Sequence, residues 1–283
     1  MPDAPEFVSF VSDYGLVDGF VGICKAVMLQ FAPDLSIIDV THDVAPYDVR
    51  GGALALVRAV PYLPAGIVLA IVDPGVGTDR RAIAVEVENG YLIGPDNGLL
   101  APAVAMMGGA RRVISLTNPD FQLAPVGPTF AGRDVMAPAA GHLADGVALE
   151  DLGELVDPVT LTPGLIALPQ IEAGGAMTAE VWWIDRFGNC QLNVDPVQLT
   201  AQGAEPGGPI EVHLGGRTRT ARWVSTYAEA KPSELVVLVD STGLISLAMD
   251  RSSTAETFGL HVGSGVALLP PGTSVDGAGS EPG

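Results

Sequence analysis

An aspartate and an arginine, Asp73 and Arg80, lie a few residues apart on a turn rich in glycine and proline. The turn follows the apolar run of residues 66–72, which is typical of a buried strand that ends at an exposed rim. A carboxylate beside a fixed positive charge stays ionised and oriented, so Asp73 is a candidate group to grip or activate a polar reactant. The alternative is an ordinary ion pair that ties down a surface turn.

Asp13 is a second candidate because it follows another apolar run, residues 7–12. The carboxyl ends of parallel strands meet at one edge of a sheet, so its carboxylate is expected at the same rim as Asp73. A carboxylate at such a rim commonly accepts the hydroxyls of a ribose. The alternative is an N-cap of the helix that follows.

Two further turns have the composition of site loops. Asp96 and Asn97 stand in a tight turn before a predicted helix, and a plain structural role explains that turn better than ligand binding does. Thr129, Phe130 and Ala131 begin a segment, residues 129–134, whose small residues let the backbone approach a ligand or simply form a turn.

Strand and helix patterns alternate through the first half of the chain, and these elements must position the candidate residues. Strands are predicted for residues 7–12, 36–40, 66–72, 82–87 and 91–94, the last two as a hairpin around Asn89-Gly90. Helices are predicted to end near residue 31 and to span residues 48–60, 98–107 and 135–143. This alternation predicts an α/β fold with a mostly parallel sheet and helices on both faces.

The second half has a different pattern. Residues 157–175 are rich in proline and glycine and show little periodicity, which is typical of a connection between domains. Short strands are then predicted for residues 179–184, 210–214, 219–224, 235–239, 244–249 and 265–268, as in a small all-β barrel or sandwich. We therefore predict an N-terminal domain of residues 1–163, a linker of residues 164–175, a β domain of residues 176–269 and a disordered tail of residues 270–283.

Composition excludes several classes of partner. The 283 residues carry a formal charge of −19, which argues against nucleic acid and against an anionic membrane surface. No apolar run is long enough for a membrane span, and no basic region typical of a secretory signal begins the chain. The two cysteines form no disulfide framework, and no Cys/His spacing resembles a zinc site. A cytoplasmic location without a bound metal is expected.

Seven segments together resemble one family, the S-adenosylmethionine (SAM) hydrolases, or SAM hydroxide adenosyltransferases, which are related to the fluorinase and chlorinase. The matching segments are residues 12–15 (SDYG), 39–42 (DVTH), 46–49 (PYDV), 72–81 (VDPGVGTDRR), 95–100 (PDNGLL), 129–134 (TFAGRD) and 185–189 (DRFGN). Each motif alone is weak, but their order and spacing are specific, and the resemblance extends from about residue 7 to residue 268.

The resemblance implies a β-barrel-like C-terminal domain and a homotrimer in which SAM, the substrate, lies between the N-terminal domain of one subunit and the C-terminal domain of its neighbour. No cofactor is implied. Asp13 would hold the ribose hydroxyls, Tyr47 would lie near the ribose, and Asp96, Asn97, Thr129 and Phe130 would be binding residues.

The family pattern also assigns roles to residues of the C-terminal half. Asp185 would pair with the methionine ammonium group and Ser241 would contact its carboxylate. The adenine would be framed by three side chains and by the backbone of a turn, namely Phe187, Asn189, Tyr227 and the residues from Met249 to Arg251.

The implied reaction is in-line attack by water on C5′ of SAM, which yields adenosine and methionine. In the family an aspartate, an arginine and a histidine surround that water, and Asp73 and Arg80 match the first two; the halogenating relatives lack this pair. Ala131 stands where the family hydrolases usually have the histidine. A methyl group exchanges no proton, so Ala131 leaves two alternatives open: a SAM-dependent halogenase, and a SAM- or adenosine-binding protein with weak turnover.

Overall fold

The computed structural model describes residues 4–124, 127–164 and 166–271 of the chain. The chain divides between Ile166 and Ala167 into two compact units. The predicted boundaries at residues 163 and 175 stay predictions. Of the predicted disordered tail, residues 272–283 lie outside the described residues.

The first unit alternates strands and helices through its first half. Its elements are β1 (Phe7–Ser12), α1 (Phe20–Phe31), β2 (Ser36–Thr41), α2 (Val49–Ala59), β3 (Gly66–Ile71), β4 (Ala82–Val87), β5 (Gly90–Pro95), α3 (Ala101–Met106), β6 (Arg112–Ser115), α4 (Ala137–Ala144) and β7 (Glu154–Val156). A π-helical turn, Gly132–Met136, leads into α4.

Within the described residues, the strands of the first unit form one seven-stranded sheet in the order β2-β1-β3-β5-β4-β6-β7. Pairing is parallel from β2 to β5 and antiparallel from β5 to β7. The hairpin of β4 and β5 is confirmed. In the parallel half, the carboxyl ends of β2, β1, β3 and β5 lie at the same edge of the sheet. A binding site built from strand ends requires this arrangement.

Helices cover both faces of this sheet, as β3 shows. Alternate residues of a strand point to opposite faces, and every residue from Ile67 to Val72 is buried. Ile67, Leu69 and Ile71 pack in one core cluster together with residues of α1 and α4. Val68, Ala70 and Val72 pack in another with residues of α2 and α3. A strand buried on both faces reads as a continuous apolar run, which is the pattern that predicted it.

Glycines set the close approach of the parallel strands at their amino ends. Gly66 and Gly90 are paired in register, with φ of 156° and 147°. A Cβ added at Gly90 would lie 1.9 Å from the carbonyl oxygen of Gly66, and one at Gly66 would lie 2.5 Å from the carbonyl oxygen of Phe7. Both positions therefore need a residue without a side chain.

The second unit is a β-barrel. Its elements are β8 (Gln170–Ile171), β9 (Met177–Ile184), β10 (Cys190–Leu192), α5 (Pro196–Ala201), β11 (Pro209–Leu214), β12 (Arg217–Trp223), β13 (Leu235–Val239), β14 (Ile245–Met249), α6 (Thr254–Phe258) and β15 (Gly265–Leu269).

Among the described residues of this unit, the strand order β9-β10-β14-β13-β12-β11-β15 returns to β9, so seven strands close into a ring, and β8 adds to β9. The predicted fold class, α/β with a smaller barrel-like C-terminal domain, is confirmed. Across residues 4–124, 127–164 and 166–271, no helix has both the length and the apolar composition needed to cross a membrane.

We expect Gly90→Ala to lower the free energy of unfolding by about 2 kcal/mol or more, because the new methyl group meets the backbone of Gly66 and the backbone conformation is strained. Gly22→Ala is the matched control: Gly22 is an exposed residue of α1 with open space around it, so alanine should stabilise by about 0.5–1 kcal/mol. Urea unfolding followed by circular dichroism measures both. If both substitutions changed the free energy of unfolding equally, the close approach of the Gly66 and Gly90 backbones would be contradicted.

Candidate active site

The ends of β1 and β3 meet at one edge of the sheet. Ser12 and Ile71 are register partners in the parallel pair, and the next residues lead into two loops. The amide of Asp13 donates to the carbonyl oxygen of Ile71 at 3.3 Å. Asp13 and Asp73 therefore leave the sheet side by side.

A cavity of about 740 Å³ opens at this edge, a size suited to a small-molecule ligand. It is lined by Asp13, Tyr14, Phe20, Pro46, Tyr47, Asp73, Val76, Gly127, Thr129, Phe130, Ala131, Gly132 and Arg133. Six of the residues singled out from the sequence lie on this one wall: Asp13, Tyr47, Asp73, Thr129, Phe130 and Ala131.

Asp73 and Arg80 form a two-pronged ion pair. Arg80 Nε donates to Asp73 Oδ1 at 2.7 Å, and Arg80 Nη2 donates to Oδ2. The turn between them is closed by the hydroxyl of Thr78, which donates to the carbonyl oxygen of Gly75 at 2.7 Å. Only 7% of the Asp73 side chain is exposed, and a paired, hydrogen-bonded carboxylate of this kind is held in one orientation. Each oxygen keeps a further lone pair for a polar ligand.

Asp13 is held by the loop that follows β2. The backbone amide of Tyr47 donates to Asp13 Oδ2 at 2.9 Å. Tyr47 has a positive φ of 69°, and its side chain is 74% exposed at the cavity. The N-cap alternative for Asp13 is wrong, because α1 begins at Phe20 with Gly19 in the capping position.

Three aromatic rings form an apolar part of the cavity wall. Tyr14 lies 5.6 Å from both Phe20 and Phe130, centroid to centroid, and the latter two lie 5.1 Å apart. Arg133 lies over the ring of Phe130, with its guanidinium carbon 5.0 Å from the ring centroid. Its Nε also donates to Asp134 Oδ1 at 2.6 Å. The sequence pattern gave no signal for Phe20, and it gave Tyr14 no role although this residue belongs to the segment SDYG.

Tyr14 and Gly132 fit each other closely. A Cβ added at Gly132 would lie 2.2 Å from the Tyr14 hydroxyl oxygen, so the hydroxyl occupies the space of a side chain at residue 132. Gly132 begins the π-helical turn, and such turns are frequent at functional sites. Beside it, Ala131 presents only a methyl group to the cavity.

A buried chain of hydrogen bonds supports the loop after β1. Ser12 Oγ lies 2.8 Å from His42 Nδ1, and His42 Nε2 lies 3.0 Å from Asp39 Oδ1. Because the Asp39 carboxylate can only accept, His42 Nε2 carries a hydrogen and donates it to Asp39. Ser12 Oγ also accepts the amide of Tyr14 at 3.3 Å. At the exposed end, Lys25 Nζ donates to Asp39 Oδ2 at 2.5 Å.

This chain ties three elements to the candidate site. Burial opposes ionisation of Asp39, yet the hydrogen bonds from His42 and Lys25 hold the pKa of its carboxyl below the usual value. The amide of Gly15 donates to the carbonyl oxygen of His42 at 2.8 Å, so the loop after β1 is fixed by both the ring and the backbone of His42.

Asp96 and Asn97 are not among the residues that line the cavity, and their expected binding role stays a prediction. Arg81 donates to Asp96 Oδ2 from Nε at 2.8 Å, and the amide of Thr162 donates to Oδ1 at 2.8 Å. Asn97 Nδ2 donates to the carbonyl oxygen of Val72 at 2.9 Å. Both side chains are engaged in holding the strand ends, which is the structural alternative named for this turn.

In the second unit, Asp185 organises the turn between β9 and β10. Its Oδ1 accepts the amides of Phe187 at 2.8 Å and Asn189 at 2.9 Å, and its Oδ2 accepts Asn189 Nδ2 at 2.8 Å. Phe187 is 78% exposed. Burial raises the pKa of Tyr227, and the carboxylates of Asp185 and Asp240 raise it further, so these groups lie near one another.

The remaining residues singled out in this unit lie at or just beyond the two ends of β14. Ser241 is exposed beside Asp240, whose Oδ2 accepts Gln191 Nε2 at 2.5 Å. Met249 is half-buried at the end of β14. Arg251 is exposed, with a left-handed φ of 49°.

Comparison with known proteins follows this geometry. The model of the SAM hydroxide adenosyltransferase N-terminal domain matches residues 8–153, and the model of the corresponding C-terminal domain matches residues 179–267. The chain belongs to this family.

Individual relatives agree with that membership. An (R)-S-adenosyl-L-methionine hydrolase of Salinispora tropica is 47% identical over 257 residues, covering 91% of this chain and 95% of that protein. A fluorinase of an Actinoplanes species is 27% identical over 288 residues, covering 92% and 96%. The crystal structure of an uncharacterized conserved protein from Thermotoga maritima has a TM-score of 0.86 and 29% identity, covering 93% of this chain and 99% of that one.

We expect His42→Ala to lower the free energy of unfolding by about 2–4 kcal/mol, because it leaves a cavity and removes the partner of the buried Ser12 hydroxyl. Lys25→Met at the exposed end of the same chain should cost less than about 1 kcal/mol. Circular dichroism is the suitable probe, since the tryptophans lie in the second unit. If His42→Ala lowered the free energy of unfolding no more than Lys25→Met does, the hydrogen bonds of His42 would not support the loop after β1.

Proposed function

We propose that this protein hydrolyses S-adenosyl-L-methionine to adenosine and L-methionine. The observation that carries the proposal is the match of both family domains along the chain, with 47% identity to a protein named as a SAM hydrolase. Asp73, which lines a ligand-sized cavity and is held by Arg80, supports the proposal because it is a carboxylate that can bind a water there.

The reaction is a substitution at C5′ with water as the nucleophile. The water oxygen forms a bond to C5′ while the C5′–S bond breaks and its electron pair goes to sulfur, which leaves methionine as a neutral thioether. One water proton is released, so the cation SAM and water give adenosine, methionine and a proton. The sulfonium is already a good leaving group, so the protein's task is to hold and polarise one water.

Asp73 is suited to that task. Its carboxylate accepts a hydrogen bond from the water and so turns a lone pair of the water oxygen toward C5′. Arg80 keeps the carboxylate in one orientation. Asp73 can also take up the released proton on its way to solvent. Ala131 adds no polar group on its side of the cavity.

The other cavity residues are proposed to bind the nucleoside. Asp13, fixed by the Tyr47 amide, offers its carboxylate to the ribose hydroxyls, and the exposed Tyr47 ring lies against the sugar. Thr129 and Phe130 contribute a hydroxyl and an apolar face of the same cavity.

The C-terminal residues are proposed to bind the rest of SAM and to come from a neighbouring subunit of a homotrimer. Asp185 would pair with the methionine ammonium group and Ser241 would contact the methionine carboxylate. Phe187, Asn189 and Tyr227, with the backbone from Met249 to Arg251, would frame the adenine. The cluster of Asp185, Asn189 and Tyr227 supports these roles because it combines a carboxylate, an amide and aromatic surface.

A halogenase is the second candidate, favoured by the methyl group at Ala131 and by the 27% identity to a fluorinase. Asp73 opposes it, because a carboxylate in the cavity repels a halide ion. The higher identity to a hydrolase also favours water as the nucleophile.

We expect SAM incubated in halide-free ¹⁸O-water to give adenosine that carries the label on its 5′ oxygen, as measured by mass spectrometry. Asp73→Asn should lower kcat/KM by roughly two to four decades. Asp79→Asn, an equal charge change at an exposed residue of the same turn, should stay within about twofold.

Three results would overturn hydrolysis. Unlabelled adenosine would exclude direct attack by water, 5′-chloro-5′-deoxyadenosine formed in chloride would identify a halogenase, and calorimetric binding of SAM without product would identify a binding protein. Separate incubations with the two sulfur epimers test whether this chain shares the (R) preference in the Salinispora relative's name, which we propose.

We also propose a cytoplasmic location, for which the two unpaired, buried cysteines give support.

For the trimer, light scattering coupled to gel filtration should give about three times the chain mass of 29.1 kDa. Exposed apolar residues in the loop after β1 and in α1, namely Leu16, Val17 and Ile23, support such an assembly. A monomer mass at micromolar concentration would contradict it.

A further inference from the structure

The Tyr14 hydroxyl lies beside Gly132, next to the position where Ala131 presents only a methyl group. Tyr14, Ala131 and Gly132 all line the cavity. The hydroxyl oxygen occupies the space in which a side chain at Gly132 would begin, 2.2 Å from the position of its Cβ. The neighbouring residue, Ala131, ends in a methyl group, so the phenol places a polar atom beside two residues, Ala131 and Gly132, that have no polar side-chain atom.

The charged groups that act on the Tyr14 phenol include Asp73 and Arg80, the two residues proposed to position the attacking water. Burial raises the pKa of the Tyr14 phenol well above its ordinary value. After burial, Cys24 and then the carboxylates of Asp13 and Asp73 raise it further. Arg80 acts in the opposite direction. Both members of the Asp73–Arg80 pair therefore lie within electrostatic reach of the hydroxyl, which stays protonated at neutral pH.

We propose that the Tyr14 hydroxyl is a catalytic group that holds the attacking water together with Asp73, on the side where residue 131 supplies no polar atom. The inference rests on the proposed hydrolysis. The phenol oxygen accepts one O–H of the water and the Asp73 carboxylate accepts the other, which leaves a lone pair of the water oxygen for C5′. Tyr14 gives up no proton in this step; the released proton leaves through Asp73.

The ring of Tyr14 has a second, separable role. It packs against Phe20 and Phe130 in the aromatic wall. Tyr14→Phe keeps that packing and removes only the hydroxyl, so it separates water binding from wall structure. Tyr91→Phe is the matched control, because Tyr91 is a half-buried tyrosine at the amino end of β5, at the edge of the sheet opposite the cavity.

We expect Tyr14→Phe to lower kcat by roughly 10- to 100-fold, the effect of losing one hydrogen bond to the reacting water, with KM for SAM within about threefold. The melting temperature should stay within about 2 °C of the parent. Tyr91→Phe should leave kcat within about twofold. An unchanged kcat in Tyr14→Phe, or an effect on KM alone, would overturn the proposal.

A double-substitution cycle tests whether residues 14 and 131 serve the same water. An imidazole in Ala131→His would provide a second polar contact on that side, so Tyr14→Phe should cost less than about threefold in this background. An equal loss in both backgrounds would overturn the assignment of Tyr14 to the space beside Ala131.

A crystal structure with adenosine bound tests the geometry without turnover. The 5′ oxygen of adenosine comes from the attacking water, so it should lie within hydrogen-bond distance, about 2.5–3.2 Å, of the Tyr14 hydroxyl oxygen. A separation beyond about 4 Å would overturn the inference even if SAM is hydrolysed. Absence of adenosine formation from SAM would instead overturn the proposed function, and the crystal result would still decide where the Tyr14 hydroxyl points.

Discussion

The parallel register of β1 and β3 is the constraint on which the candidate site depends. Ser12 is paired with Ile71, so the first residues beyond each strand, including Asp13 and Asp73, share one edge. The register is set at the other end of the strands, where glycine lets backbones approach at Gly66 and Gly90. A slip of one residue would turn the doubly buried strand β3 over and carry Asp73 away from Asp13.

Around that edge, rigid polar contacts and an apolar wall have different tasks. The ion pair to Arg80 and the amide of Tyr47 orient the two carboxylates, and His42 holds the intervening loop from within the core. The rings of Tyr14, Phe20 and Phe130 provide an apolar face of the same cavity. Electrostatic stabilisation is strongest where such groups are already oriented before a ligand enters.

Much of this architecture could be predicted from the sequence, because its signals are local. The continuous apolar runs of β1 and β3 are long enough to predict buried strands, and the turn residues after them mark the rim. Strands β6, β7 and β10 have four, three and three residues, too few for a period, so the antiparallel half of the sheet and the closure of the barrel were not evident.

The site residues divide along the same line. Asp73 and Arg80 stand close in sequence, and their pairing could be anticipated. Asp96 accepts the amide of Thr162, 66 residues away, and the contact of Tyr14 with Gly132 joins segments that lie still further apart in the sequence. Contacts of this kind depend on the folded arrangement and leave no mark on neighbouring residues. The contact partners of Asp96 and Tyr14 are therefore visible only in the structure.

The backbone of Tyr47 has a consequence for how the protein balances stability and ligand recognition. Aromatic residues seldom adopt a left-handed conformation, and holding one there costs on the order of 1–3 kcal/mol. Glycine would avoid that cost and still offer its amide to Asp13. The chain instead has a bulky ring at the cavity, largely open to solvent, so replacing Tyr47 by glycine would relieve the backbone and at the same time remove this ring from the cavity lining.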